Sequence, residues 1–115
     1  MASSGEHLSI DVRNGSDRVV LRLHGELDLL GAPLLQEAID RAYGEASAIM
    51  VFDLQDLQFV DSAGLRVILA AHERSRENGR ELALTPGTEQ VQRLFTIAGV
   101  NDHLRIIGSP DELFV

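Results

Sequence analysis

The sequence predicts one α/β domain on a mixed, mostly parallel sheet of about four or five strands, with an N-terminal antiparallel hairpin and three or four helices. The chain has 115 residues, which is the usual size of one domain. Strand-like and helix-like segments alternate along it, which implies crossover connections between parallel strands. Residues 48–53 form an apolar run, as expected of a strand buried on both faces. We therefore expect one domain over residues 1–115, in which residues 1–7 are a flexible lead.

The hairpin is predicted by two apolar segments on either side of a turn. Leu8, Ile10 and Val12 alternate with polar residues, which indicates a strand with one buried face. Residues 14–17, Asn-Gly-Ser-Asp, have strong turn character, and residues 18–25 read as a longer strand. The two strands should pair antiparallel.

The later elements are predicted from helical periodicity and from glycine and proline positions. Residues 32–43 repeat apolar side chains at helical spacing, and Pro33 suits a first helical turn. Gly44 should end this helix in a left-handed conformation. The remaining predicted elements are a strand at 48–53, a short loop, a helix from Ser62 to Asn78-Gly79, a strand at 81–85, a helix between Thr88 and Gly99 with Val91, Leu94, Phe95 and Ala98 on its inner face, and a short edge strand at 105–107.

Composition excludes several classes of site. The chain has no cysteine, so disulfides, thiolate metal sites and cysteine nucleophiles are excluded. All ten basic residues are arginine, which excludes lysine Schiff bases and a lysine-dependent phosphate loop. The net charge of −8 argues against binding to nucleic acid or an anionic membrane, and favours a partner with a basic patch. No signal peptide or membrane span is recognisable, so we expect a cytoplasmic protein.

Acidic residues follow three of the predicted strands. Binding sites of open α/β sheets gather at the carboxyl ends of the strands. We therefore expect the acidic segments to converge at one end of the sheet. They are Glu26 and Asp28 after the second strand, Asp53 and Asp56 after the third, and Asp61 beside Ser62 at the start of the second helix.

Ser62 has two interpretations from its position alone. It is either the N-cap of the second helix, whose loss typically costs about 0.5–2 kcal/mol, or a hydroxyl displayed to a kinase. A phosphate there adds roughly −1.5 to −2 charges, which the helix N-terminus tolerates and neighbouring carboxylates repel. Phosphorylation should therefore act on a docked partner more than on the fold.

Three sequence blocks resemble those of a known family, the STAS-domain anti-sigma factor antagonists. Residues 59–65, Phe-Val-Asp-Ser-Ala-Gly-Leu, preceded by Val-Phe-Asp-Leu at 51–54, resemble the family's signature. Residues 25–28, Gly-Glu-Leu-Asp, resemble its early segment, and residues 94–100, Leu-Phe-Thr-Ile-Ala-Gly-Val, resemble its last-helix segment. The blocks keep the family's order and spacing, and the resemblance covers residues 8–110.

The resemblance implies a regulator of transcription that is not an enzyme, needs no cofactor or metal, and is a monomer when free. Its unphosphorylated form binds an anti-sigma factor that is itself a serine kinase, which frees a sigma factor in stress response or sporulation. The kinase then phosphorylates Ser62 and ends binding, and a serine phosphatase restores it. Ala63 stands where some members have a second hydroxyl, which leaves Ser62 as the one acceptor in the motif. The implied partner-binding surface comprises Asp28, Asp61, Ser62, Ala63, Gly64 and Arg66.

Other functions stay open at this point. A constitutive STAS adaptor without phosphoregulation has the same sequence features. A serine hydrolase needs glycines two residues before and after its serine, but Val60 stands at the first position. A metal or Mg-nucleotide site at Asp28, Asp53, Asp56 and Asp61 competes with a simple solvated acidic surface, which we favour. Arg66 is either a contact for a partner or phosphate, or a solvated charge.

Overall fold

The computed structural model describes residues 2–44 and 48–108, with side chains from residue 5 onward. Met1 of the predicted lead and residues 109–115 of the predicted domain lie outside the described part. The elements in chain order are β1 Ala2–Ser4, β2 Leu8–Asn14, β3 Arg18–Leu27, α1 Ala32–Tyr43, β4 Ile49–Val60, α2 Ser62–Glu77, β5 Glu81–Leu84, α3 Glu89–Ala98 and a 3-10 turn at Asn101–His103.

The sheet confirms the predicted α/β architecture. Its five strands lie in chain order. The pairs β1–β2 and β2–β3 are antiparallel, and the pairs β3–β4 and β4–β5 are parallel. The carboxyl ends of the three parallel strands therefore point to one edge. The last predicted strand is reduced to a single parallel bridge between Leu84 and Ile106.

The predicted flexible lead is corrected by the structure. Ala2–Ser4 form β1, which pairs antiparallel with β2 and puts Ser3 opposite Ile10. The Gly5 N–H then donates to the Leu8 carbonyl over 2.7 Å, which closes a tight connection into β2. The short polar segment shows no apolar alternation, so its pairing depends on the free edge of β2 and could not be recognised from periodicity.

The strand predicted over residues 48–53 corresponds to β4. Its predicted end at Asp53 is also wrong, because β4 continues to Val60. Leu54 and Leu57 are fully buried, so the chain stays in the sheet beyond the carboxylate. Asp53 is accommodated because its carboxylate accepts hydrogen bonds from the Thr85 hydroxyl at 2.9 Å and the Gln55 N–H at 3.1 Å. The register against β3 shifts twice in this region, which lets the two strands end together at Leu27 and Val60.

The helices begin and end largely as predicted. Gly79 and Gly99 follow α2 and α3 with φ of 67° and 71°, the left-handed conformation that glycine tolerates. Gly44, by contrast, ends α1 with φ of −72°, because its N–H closes a tight turn onto the Arg41 carbonyl at 3.0 Å. The left-handed conformation predicted for Gly44 is therefore wrong.

One face of the sheet holds the main core. Leu21 and Leu23 of β3 and Phe52 of β4 are fully buried against the three helices. Phe95 of α3 is buried as predicted, whereas Ala98, predicted on the same inner face, is exposed at the last turn. A smaller cluster of Val51, Ala83 and Ile107 occupies the opposite face of the sheet. The helices of the described ranges are all too short or too polar to cross a bilayer.

Candidate functional site

The parallel strands β3 and β4 end side by side. Leu27 pairs with Val60 in the last step of the register, and the Asp61 N–H donates to the Leu27 carbonyl over 3.1 Å. Asp28 and Asp61 therefore follow the two strands at neighbouring positions. We call this edge of the sheet, formed by residues 26–31 and 59–66, the carboxyl edge.

Asp61 ties the start of α2 to the loop after β3. Its Oδ1 atom accepts a hydrogen bond from the Gly64 N–H at 2.9 Å, which makes Asp61 the N-cap of the helix. Its Oδ2 atom accepts a second one from the Leu29 N–H at 3.0 Å. The interpretation of Ser62 as the cap is therefore wrong. Asp61 has the extended backbone that an N-cap needs, and Ser62 is the first helical residue.

The side chain of Ser62 is exposed, and its hydroxyl has no hydrogen-bond partner in the part of the chain that the structure describes. The N–H groups of Ser62 and Ala63 likewise have no acceptor within those ranges, as is usual in the first turn of a helix. The carboxyl edge therefore presents a free hydroxyl next to two free backbone donors.

Gly64 allows α2 to begin directly on the end of β3. A Cβ atom added at this position would lie 2.6 Å from the Leu27 Cγ atom and 2.7 Å from the Leu27 carbonyl oxygen. Both distances are well below van der Waals contact, and Leu27 is fully buried. The glycine of the serine motif thus sets how closely the helix approaches the sheet, and with it the position of Ser62.

Asp28 organises the loop that precedes α1. Its Oδ1 atom accepts hydrogen bonds from the Leu30 and Gly31 N–H groups at 3.1 and 3.0 Å, and its Oδ2 atom lies 2.8 Å from Nδ1 of His7. The His7 hydrogen bond, followed by that of Gly31, lowers the pKa of the Asp28 carboxyl. The same hydrogen bond, which the Asp28 carboxylate accepts, raises the pKa of His7. Charge on both groups is therefore favoured by the fold.

The role of His7 could not be recognised from the sequence. It reaches Asp28 because the Glu26 N–H bonds the His7 carbonyl at 2.9 Å. Gly25, with φ of 96°, makes this close approach possible, since a Cβ there would lie 2.3 Å from the His7 carbonyl oxygen. The contact depends on the hairpin register and on a backbone conformation that only glycine adopts readily.

Apolar side chains at the carboxyl edge were also missed by the sequence analysis. Leu29 and Leu30 are 71% and 66% exposed, and Phe59 is 46% exposed. Two leucines within the loop sequence Asp-Leu-Leu-Gly were a usable signal, because loops normally carry polar residues at such positions. Exposed apolar residues of this size beside a polar site are typical of protein interaction surfaces.

The four acidic residues considered for a metal site do not come together. Asp28 and Asp61 lie at the carboxyl edge, whereas Asp53 and Asp56 lie within β4. Asp56 binds Arg22 at 2.8 Å, and Asp53 binds Thr85. The three groups His7, Glu26 and Asp28 have ligand atoms within 4.8 Å of one another, but two of them are hydrogen-bonded to each other, and we assign no ion there.

The remaining predicted site residues take simple positions. Arg66 is exposed one turn beyond Ser62 and pairs with no carboxylate of the described chain. Ala63 is half-buried at the second helical position. For a hydrolase, the serine needs a hydrogen bond to a base, but the described part of the chain provides none for Ser62, and His7 is bonded to Asp28 instead.

Comparison with known proteins identifies the family. The family model of the STAS domain matches residues 8–113. An anti-sigma-B factor antagonist of Listeria monocytogenes is 29% identical over 108 residues, which cover 93% of this chain and 95% of that protein. An anti-sigma F factor antagonist of Paenibacillus polymyxa is 30% identical over 95 residues, covering 82% of this chain and 81% of its own.

Solved structures show the same fold. An anti-sigma factor antagonist from Mycobacterium paratuberculosis superposes with a TM-score of 0.85 at 20% identity, covering 97% of this chain and 95% of that one. The unphosphorylated form of the anti-sigma factor antagonist SpoIIAA gives a TM-score of 0.77 at 20% identity, covering 91% and 92%. The chain belongs to the STAS domain family and groups there with the anti-sigma factor antagonists, as its three sequence blocks predict.

Proposed function

We propose that this protein is an anti-sigma factor antagonist that acts in the cytoplasm as a binding protein without enzymatic activity. Its unphosphorylated carboxyl edge binds an anti-sigma factor with serine kinase activity, which releases a sigma factor. Phosphorylation of Ser62 ends the interaction, and a serine phosphatase restores it. The observation that carries the proposal is the free, exposed hydroxyl of Ser62 at the first position of α2, where Asp61 provides the cap in its place.

Support for the acceptor role comes from the division of labour between Asp61 and Ser62. A capping serine would have its hydroxyl engaged by the helix N–H groups and would be a poor acceptor in the folded protein. Because Asp61 accepts both hydrogen bonds, from the Gly64 and Leu29 N–H groups, phosphorylation of Ser62 would break no hydrogen bond of its hydroxyl within residues 2–44 and 48–108. The domain can therefore change charge at this position and keep its structure.

Support for the switch comes from the charges around Ser62. A phosphate would gain the N–H groups of Ser62 and Ala63 and the field of the helix N-terminus. It would also add negative charge beside the carboxylates of Asp61 and Asp28. A partner seated on the carboxyl edge would then have to bury a phosphate next to two carboxylates, which like-charge repulsion within the edge and the cost of desolvating the phosphate both disfavour.

Support for a docked protein partner comes from the leucines of the loop after β3. Leu29 is held beside Asp61 by its own N–H, so the exposed Leu29 and Leu30 side chains lie next to the phosphorylation site. Apolar anchors surrounded by polar groups are the usual arrangement of an interaction surface. The proposed surface thus comprises Asp28, Leu29, Leu30, Asp61, Ser62, Ala63, Gly64 and Arg66.

The test begins with capture of the partner from lysate of the source bacterium, followed by affinity measurement with the purified partner. The variants are Ser62→Asp and the matched control Ser16→Asp, which makes the same change at an exposed serine of the turn between β2 and β3. We expect Ser62→Asp to weaken binding at least about tenfold, and Ser16→Asp to bind like the wild type. Incubation of partner, wild type and ATP should add one phosphoryl group, which peptide mass spectrometry maps to Ser62 and which Ser62→Ala abolishes.

A second pair of variants tests the surface. Leu30→Ser should weaken partner binding, whereas Ile97→Ser, which changes a side chain 76% exposed on α3, should not. If Ser62→Asp and the wild type bind one partner equally well, the protein is a constitutive adaptor. If the captured partner neither binds a sigma factor nor phosphorylates Ser62, the proposed function is wrong.

A further inference from the structure

A cleft of about 190 Å³ lies at the end of α2 that is remote from Ser62. It is lined by residues of the last turns of α2, of the turn into β5, of β5 itself and of the segment after the 3-10 turn. Ser62 and Ser75 are 13 residues apart on one helix, which places this cleft about 20 Å from the phosphorylation site. It therefore belongs to a different surface of the molecule.

The charge of this cleft is opposite to that of the whole chain. Its lining includes Arg76, Arg80 and Arg105, against the single carboxylate of Glu81, in a protein with a net charge of −8. The Glu81 carboxylate already forms an ion pair with Arg105 at 3.0 Å. Arg76 lies 3.8 Å from the carboxylate of Glu73, which does not line the cleft. The cleft is thus bordered by arginines from three separate segments of the chain.

Arg80 is the least neutralised of these arginines. Arg13, Arg66, Arg80 and Arg93 form no ion pair with a carboxylate of residues 2–44 and 48–108, and of these four only Arg80 is partly buried. Its guanidinium donates to the Tyr43 carbonyl at 3.2 Å and lies 5.1 Å from the centre of the Tyr43 ring. These contacts hold the group in place without cancelling its charge.

The backbone carbonyls at the end of α2, beside this cleft, already accept hydrogen bonds. The carbonyls of the last turn of α2 accept hydrogen bonds from the N–H groups of Asn78, Gly79 and Arg80 at 2.8–3.3 Å, so they do not compete for the guanidinium groups.

His72, which also lines the cleft, has a buried Nδ1 atom without a hydrogen-bond partner in the described part of the chain. Buried polar atoms are almost always paired, so this wall of the cleft is left unsatisfied by the fold.

We propose that this cleft binds a small phosphate anion. Guanidinium groups match the geometry of phosphate oxygens and bind them with two parallel hydrogen bonds. The cleft is smaller than the roughly 300–1,000 Å³ typical of sites for drug-sized ligands, so it suits inorganic phosphate or pyrophosphate better than a larger cofactor. The proposal does not depend on the function proposed for Ser62, because no residue is shared.

The test is titration of the ¹⁵N-labelled full chain with pyrophosphate and, separately, with inorganic phosphate, followed by amide NMR signals at constant ionic strength. We expect saturable shifts at His72, Arg80 and Arg105, none at Ser62, and stronger binding of pyrophosphate. Arg80→Gln should weaken pyrophosphate binding at least about tenfold. Arg105→Gln tests the same site from a different segment, in case Arg80→Gln disturbs the packing of Tyr43.

Arg93→Gln is the matched control, because Arg93 is exposed on α3, makes no ion pair with a described carboxylate and does not line the cleft. It should bind pyrophosphate like the wild type. Shifts that fail to saturate, shifts that spread over all exposed arginines, or equal affinity in both cleft variants and the wild type would each overturn the proposal. Arg105→Gln should bind the protein partner at the carboxyl edge like the wild type. Loss of pyrophosphate binding and loss of partner binding are therefore measured independently, and one proposal can fail without the other.

Discussion

The two ends of α2 are held in different ways. At its start, Gly64 lies so close to Leu27 that a Cβ has no room, and Asp61 bonds two backbone N–H groups. At its end, a Cβ on Gly79 would meet nothing within 4 Å, and the neighbouring contacts are exposed ion pairs such as Arg74 with Asp40. The position of Ser62 thus depends on close packing that leaves no room for an added atom, whereas the remote end has open space at Gly79 and carries exposed ion pairs.

Gly64→Ala should produce the largest effect. The added methyl group must displace α2 from Leu27, and overpacking of this kind typically costs about 1–3 kcal/mol of the free energy of unfolding. Gly15→Ala is the control, since its Cβ would meet neighbours at an ordinary 3.5 Å. Urea denaturation of both variants measures the difference. Equal stability of Gly64→Ala and Gly15→Ala would show that the close approach to Leu27 is not what positions the helix.

Asp61→Ala should produce the next largest effect. It removes the cap of α2 and the bond to Leu29, and loss of an N-cap typically costs about 0.5–2 kcal/mol. Thr88→Ala is a matched comparison, because Thr88 caps α3 through a single hydrogen bond of 3.4 Å, against two of 2.9 and 3.0 Å for Asp61. The same urea titrations should rank Asp61→Ala below Thr88→Ala in stability, and the opposite rank would contradict the double role of Asp61.

The His7–Asp28 pair should give a smaller, pH-dependent effect. The pKa of His7 is raised from 6.5 by its hydrogen bond to Asp28, so its contribution is complete below pH 6.5 and is lost as the pH rises through the higher folded-state value. The pKa of Asp28 is lowered from 3.8, so its contribution is present above that pH and is lost as the pH falls through the lower folded-state value. The stability difference between wild type and His7→Gln should therefore shrink between pH 6 and pH 8.

Asp40 and Arg74, at the other end of α2, provide the contrast. Arg74 lowers the pKa of Asp40 by its hydrogen bond, and an arginine stays charged throughout this range. The melting temperature difference between wild type and Arg74→Gln should therefore stay constant from pH 6 to pH 8. A His7→Gln difference that is equally constant would show that the histidine contact contributes nothing in solution.

Ser62→Ala should have the smallest effect on stability. Since Asp61 and not Ser62 caps α2, the variant should stay within about 0.5 kcal/mol of the wild type. Thermal unfolding monitored by circular dichroism measures this. A loss comparable to that of Asp61→Ala would restore the serine as a cap and remove the main support for its role as a phosphate acceptor.

Periodicity and motif spacing determined much of this protein from sequence alone. The bounds of α1 were predicted to the residue, and the hairpin, the α/β class, the start of the second helix at Ser62 and the family followed from residues close together in the chain. Such features are readable because local backbone preferences and the alternation of buried positions leave a pattern in consecutive residues. The neighbouring Asp61 and Ser62 are both good capping residues, and sequence alone could not choose between them.

Tertiary structure decided what depends on register and on long-range contact. Asp53 and Asp56 were expected to meet Asp28 and Asp61, but β4 continues past them, because Thr85 of a distant segment satisfies the buried carboxylate of Asp53. The contact between His7 and Asp28 exists because Gly25 lets the His7 backbone, just before β2, approach β3 closely. Asp61 is the cap because Leu27 pairs with Val60. This pairing brings the Asp61 carboxylate to the Leu29 N–H. These contacts join residues far apart in the chain, and their geometry is set only when the strands have paired.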